Sequence, residues 1–201
     1  MVQCFLIHTV GPVNGLAPGE SRVLYSQVFG PEQSALTPLD EIQLEPEQRR
    51  LLQKERVAVV ARQVRSAVTL SREASGRVLV ETVLGEELAA IQEADTGVQR
   101  LGRGEPWVGE KTVLWLAVQG LAFTLVTEPH ENLLLAEGTL KNITRHCLEH
   151  LRMLGTGSDV LLKSDRVDVL LHRLMPHGLL LFANHRFTQS LEKDMTNYMA
   201  K

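Results

Sequence analysis

The chain has 201 residues, of which 44% are hydrophobic and 22% charged, a balance that suits one globular domain with a single core. Aromatic residues make up only 4%, so the core is expected to be aliphatic. The formal net charge of −3 lacks the basic excess of a chain built to hold nucleic acid, and nucleic acid is not expected as a partner.

No stretch of eighteen apolar residues occurs, and the N-terminal apolar run (residues 2–10) has no basic residue before it and carries polar residues inside. With Val2 after the initiator there is no myristoylation site, and no prenylation box ends the chain. Cys4 and Cys147 are far apart and form no ligand pattern, so a cytoplasmic protein with reduced thiols is expected. A sequon at Asn142-Ile143-Thr144 falls in a helical segment and is discounted.

In chain order, residues 2–10 and 22–29 are short apolar runs separated by the breakers Gly11-Pro12 and Pro18-Gly19, which reads as a β-hairpin. Residues 31–46, with Pro31, Pro38 and Pro46 and no period, read as a loop. From about 47 to 74 the period changes: Val57, Val60, Ala61, Val64 and Val68 form one helical stripe, with Lys54, Arg62, Arg65 and Arg72 off it on a face that reads as solvated or, alternatively, as a surface for acidic lipid or an acidic partner. Residues 75–110 are acidic, rich in glycine and nearly without apolar runs, and are expected to be an exposed, flexible insertion with one helical turn near 86–90.

Two runs apolar on both faces, residues 112–118 and 121–126, flank Gln119-Gly120 and predict a tight hairpin in a sheet covered on both sides. A helix follows over about 131–154, with the stripe Ala136, Leu140, Ile143, Cys147, Leu151 and Leu154. A brief strand over 160–162, a helix over 165–175 stopped by Pro176-His177-Gly178, a last strand-like run over 179–182 and a final helix over 187–199 complete the chain. Antiparallel hairpins separated by helices exclude a doubly wound fold and point to α+β.

Enzymatic chemistry finds little support. His146, Glu149 and His150 match an H-x-x-E-H zinc pattern on a helix, but no third ligand is evident. No nucleophile elbow, phosphate-binding loop or dinucleotide fingerprint occurs. Cys147 belongs to the buried stripe, while His8 and His185 have no patterned partners. The expectation is a non-enzymatic protein without metal or cofactor. Glu47-Gln48-Arg49-Arg50-Leu51-Leu52 fits an acidic dileucine signal, but leucines that open an amphipathic helix are expected to serve the helix start or core.

Several stretches carry a family resemblance. They are residues 111–123 with the Gly120-Leu121 turn, Glu131-Asn132-Leu133-Leu134-Leu135-Ala136-Glu137, and Asp159-Val160-Leu161-Leu162 on to Gly178. Through these the chain resembles the small (sigma) subunits of clathrin-adaptor-type complexes. Val23-Leu24-Tyr25-Ser26, His130 to Leu140, and Pro176-His177-Gly178 with Leu180-Leu181-Phe182 resemble the branch serving the fifth adaptor complex. The likeness spans nearly the whole chain apart from residues 31–46 and 75–110.

The resemblance implies a single longin-like domain over residues 1–201, an α+β fold with a five-stranded, mostly antiparallel sheet sandwiched between helices. It implies a heterotetramer with a zeta-type large subunit, a beta and a mu subunit. It also implies association with spatacsin and spastizin at late endosomes and lysosomes, and peripheral membrane contact through the complex. Family members share a dileucine cargo pocket, matched here by Arg22, Leu121, Ile143 and Val160. Two departures weigh against dileucine reading: Gln119 replaces a small residue, and Arg152 or Met153 replaces an Asn. A polar group left unpaired where a leucine docks costs ~1–3 kcal/mol. The rival reading is a free-standing longin-type regulator of membrane fusion or of a small GTPase. A fusion protein of that kind would need a coiled-coil segment and an anchor, which this sequence lacks.

Overall fold

The computed structural model describes residues 1–11, 17, 19–29, 45–76, 91–102, 107, 109–151, 158–182 and 185–199. Five strands form one antiparallel sheet: β1 (Val2–Thr9), β2 (Val23–Val28), β3 (Asp95–Leu101), β4 (Lys111–Val118) and β5 (Leu121–Thr127). Their spatial order is β2-β1-β5-β4-β3, so the N-terminal strand lies at the centre beside the last one. The helices are α1 (Pro46–Ser75), α2 (Leu133–Leu151), α3 (Ser158–Leu162), α4 (Ser164–Leu174) and α5 (His185–Met199).

Successive side chains of a strand point to opposite faces, and here both sets are apolar along β1, β4 and β5. Phe5, Ile7, Leu114, Leu116, Phe123 and Leu125 share one face with Leu140, Ile143 and Leu148 of α2 and Val167, Leu170 and Leu171 of α4. Cys4, Leu6, Val113, Trp115 and Val126 form the other face, against Val57, Val60, Ala61, Val64 and Val68 of α1. The valine stripe read from the sequence is the buried stripe of α1, and the sheet is covered on both sides as its composition requires.

α1 begins where the Glu45 backbone N–H donates to the Gln48 side-chain oxygen at 3.2 Å, with Pro46 in the first turn. It ends at Gly76, whose φ of 64° is the left-handed conformation that glycine adopts without strain.

The fifth strand is not where the sequence placed it. Residues 160–162 are helical within α3, and 179–182 form no strand. β3 supplies the strand instead, from within the segment expected to be a flexible insertion. Its apolar signal is weak because it lies at the edge of the sheet, with Thr96, Val98 and Arg100 exposed. The expected helical turn at 86–90 and residues 31–44 of the expected loop lie outside the described residues. Gly97 sits opposite Trp115, and a Cβ there would come within 2.3 Å of the indole. That glycine makes room for the ring that bridges edge strand and helix.

Arg72 also departs from expectation. It is only 13% exposed: its Nε donates to Asp95 Oδ2 at 2.7 Å, and its Nη2 to the Gln119 carbonyl at 2.8 Å. One side chain thus ties the end of α1 to the start of β3 and to the β4–β5 turn. Gln119 holds that turn with φ of 53°, and the Gly120 carbonyl accepts from the Val10 N–H at 2.8 Å.

Truncating Arg72 leaves the nearly buried Asp95 carboxylate without this charge and the turn carbonyl without this donor. Arg72→Ala is expected to lower the free energy of unfolding by about 1–3 kcal/mol in a urea titration. Arg72→Lys should recover only part of that, because a single ammonium does not reproduce the fork of a guanidinium. Equal stability of all three proteins would show that the clamp contributes nothing.

Candidate functional site

His146 of the zinc-like pattern is 3% exposed on α2. Glu149 is half-buried, and the His150 side chain lies outside the described residues. Among the described residues, no group of three His, Cys, Asp or Glu side chains is placed to hold a metal ion.

The cluster around His8 carries no signature along the chain. This histidine is fully buried on the α1 side of β1, between Ser21 just before β2 and Thr124 on β5. Ser21 Oγ donates to the Thr9 carbonyl at 2.6 Å, so its hydroxyl proton is committed there. His8 Nδ1, 2.9 Å from Ser21 Oγ and 3.3 Å from the Thr9 carbonyl, therefore donates, and Nε2 accepts from Thr124 Oγ1 at 3.1 Å. An imidazole that activates a serine must accept the serine proton, and this one does the reverse. The cluster joins three chain segments and is not nucleophile machinery. Only the pairing of β1 with both β2 and β5 brings its members together, so no local pattern could reveal it.

Both thiols are buried and free. Burial pushes the Cys4 thiol up to about 12 and that of Cys147 higher still, so neither is a thiolate near neutrality. Cys147 is the structural thiol expected from its stripe. Tyr25 of β2 donates its hydroxyl to the Asp168 carboxylate of α4. Burial first, then this hydrogen bond and charge, push the phenol pKa up. The pair is a link between sheet and helix.

Of the dileucine-like leucines at the start of α1, Leu51 is exposed and Leu52 half-buried, so Leu51 serves no core. Of the four residues matched to the family's cargo pocket, Leu121, Ile143 and Val160 fall in one buried cluster on the α2 side of the sheet. The Arg22 side chain is exposed. Its backbone pairs with Thr9, and Thr9 pairs with Leu121, so Arg22 and Leu121 mark the same end of the sheet two strands apart. The three aliphatic side chains are buried in the core. Residues 152 and 153 lie outside the described residues.

Burial lowers the His8 pKa from 6.5 to about 4, opposed in small part by the Thr9 carbonyl bond. The folded chain thus binds fewer protons than the unfolded chain between those values, and stability present above pH 6.5 is lost as pH falls toward 4. From pH 7 to pH 5 the expected loss is about 2 kcal/mol. His8→Asn, less stable at pH 7, should lack this component of the slope when urea midpoints are compared across pH; an unchanged slope would remove His8 as its source.

Comparison with known proteins accounts for a fold so occupied with packing. The model of the family described as "AP-5 complex subunit sigma-1" matches residues 1–196. A human protein named AP-5 complex subunit sigma-1 is 46% identical over 198 residues, covering 98% of each chain. The mouse protein of that name is 43% identical over 156 residues, covering 77% of this chain and 90% of its own. Among solved structures, a chain of a homology model of the full-length AP-3 complex in a stretched open conformation aligns with all of this chain and 96% of its own. Its TM-score is 0.48 at 12% identity. On the strength of the family match and the two relatives, this chain belongs to the AP-5 complex subunit sigma-1 family.

Proposed function

We propose that this chain is the non-enzymatic small subunit of a heterotetrameric adaptor complex, with a zeta-type large chain, a beta chain and a mu chain as its partners. The observation that carries the reading is the family match over residues 1–196. The complex would act in endosomal and lysosomal membrane protein transport, together with spatacsin and spastizin. The chain would sit on the cytoplasmic side of late endosomes and lysosomes, held to the membrane peripherally by the complex. No helix among the described residues is long and apolar enough to cross a membrane, which accords with peripheral attachment.

The surface supports a life inside an assembly. Leu134 at the start of α2, Leu162 at the end of α3 and Phe182 beyond α4 are 82%, 78% and 89% exposed. Single exposed apolar residues are ordinary, but three side chains this large and this open are suited to burial against partner subunits. Arg22, Leu121, Ile143 and Val160 belong to the proposal as the corner where a leucine-based signal would be read. The aliphatic cluster would have to part for a leucine to enter, and the bulk of Gln119 beside Leu121 opposes it.

Mild-lysis capture of the tagged chain at its natural level, with quantitative mass spectrometry, tests the assembly. Near-equal recovery of zeta-type, beta and mu chains is expected, with spatacsin and spastizin alongside. Recovery of the chain alone, or with a GTPase and no adaptor subunit, would favour the free-standing regulator. The double variant Leu162→Asp, Phe182→Asp should keep its circular dichroism spectrum yet recover several-fold less of the large chain.

A further inference from the structure

From Arg50 to Arg72 the sequence of α1 holds six basic residues and one acidic residue, Glu55, in a chain whose net charge is −3. Two of the six are occupied within the fold. Arg56 lies over the Trp107 ring at 5.7 Å from its centroid, and Arg72 forms the clamp onto β3 and the β4–β5 turn. Arg50, Lys54 and Arg62 are exposed, and Arg65 is half-buried. Among the described residues none of these four is within ion-pair distance of a carboxylate.

Three of the free cations fall on one line. Leu51, Lys54, Ala58, Arg62, Arg65 and Thr69 recur at spacings of three and four, so they form a second stripe along α1. At about 100° per residue, it lies rather more than a quarter turn round the helix from the buried valines. Val59, Gln63 and Leu70 are on the other flank, toward β3. Leu51 heads the stripe and is 65% exposed. Glu55 stands at its border.

Three observations point to the occupant. The cations form a row: at 1.5 Å per residue, the backbone positions of Lys54 and Arg65 are about 16 Å apart, too far to converge on one phosphate or carboxylate. An acidic protein segment would need carboxylates spaced to match that row, whereas a lipid surface presents anions everywhere and needs no register. The row also includes an exposed leucine, and apolar side chains beside lysine and arginine are the composition of a helix lying at a lipid interface. Finally, Leu134 and Leu162, assigned above to subunit packing, belong to α2 and α3 on the opposite face of the sheet. Partners bound there leave α1 facing outward.

We propose that this stripe of α1 rests directly on a membrane surface rich in anionic lipid. Leu51 enters the headgroup layer, and Lys54, Arg62 and Arg65 face the lipid anions. The contact goes beyond the attachment assigned to the complex, because it belongs to this chain alone and is tested without any partner.

The test floats the full chain with phosphatidylcholine vesicles, with and without phosphatidylserine as about a third of the lipid, at about 0.1 M salt. Binding is expected only to the vesicles that carry phosphatidylserine, and raising the salt to about 1 M should release the chain. The double variant Lys54→Glu, Arg62→Glu changes two exposed positions; it should keep its circular dichroism spectrum and bind at least tenfold more weakly. Leu51→Ser should weaken binding several-fold. Glu55→Gln should tighten it several-fold, a gain that misfolding does not produce. Absence of binding to the anionic vesicles would overturn the proposal, as would equal binding to both kinds of vesicle. Binding indifferent to both the double variant and Glu55→Gln would overturn it too. Tighter binding to polyglutamate than to vesicles of equal anionic charge would replace the membrane with an acidic protein. Release by inorganic phosphate too dilute to change the ionic strength would instead mark a discrete anion site, and either result overturns the proposal.

Discussion

Everything in this structure follows from a sheet that tolerates water on neither face. Along β1, β4 and β5 both alternating sets of side chains are apolar, down to Phe5 against Leu6 and Leu114 against Trp115. Such a sheet is stable only as the middle layer of three, because burying each face contributes roughly 25 cal/mol per Å² of apolar surface removed from water. α1 covers one face alone with five small aliphatic residues, and α2, α3 and α4 share the other.

Polar groups then fix the register and the edges. Arg72 closes α1 onto β3 and the β4–β5 turn, Tyr25 and Asp168 hold β2 to α4, and Lys111 pairs with Glu128 at 2.7 Å across the opposite end of the central hairpin. The N-terminal ammonium of Met1 pairs with Glu131, so the first residue is tied to the segment leading into α2. Gly178, with φ of 76°, lets the turn after α4 approach β1 so closely that a Cβ there would lie 2.6 Å from the Val2 carbonyl oxygen. These contacts join segments remote in sequence, and they leave the His8 cluster sealed beneath α1 with its hydrogen bonds used in joining strands.

The buried histidine and thiols of the described residues are engaged in packing and in joining strands. The histidine that has a serine and a threonine beside it donates toward the serine, and both thiols are held protonated by burial. What the chain offers lies on its outside, in large apolar side chains open to contact such as Leu134, Leu162 and Phe182. That distribution suits a member of an adaptor sigma family, whose work is to hold other chains.

Much of the fold was legible because its signals are local. The both-faced apolar runs, the valine stripe of α1 and the stripe of α2 each lie within one segment, where spacing alone reports burial. The family likeness, carried by short stretches around both hairpins and the Pro176-His177-Gly178 turn, was legible for the same reason. β3 was not, because an edge strand with an exposed face and a glycine under an indole carries almost no apolar period. Leu161 and Leu162 read as strand yet close a helix, since an apolar triplet has no period to separate the two. The inward turn of Arg72 and the partners of His8 depend on groups from distant segments meeting at hydrogen-bond distance. Sequence spacing determined which faces had to be buried; only the packed sheet decided which polar groups would meet across it.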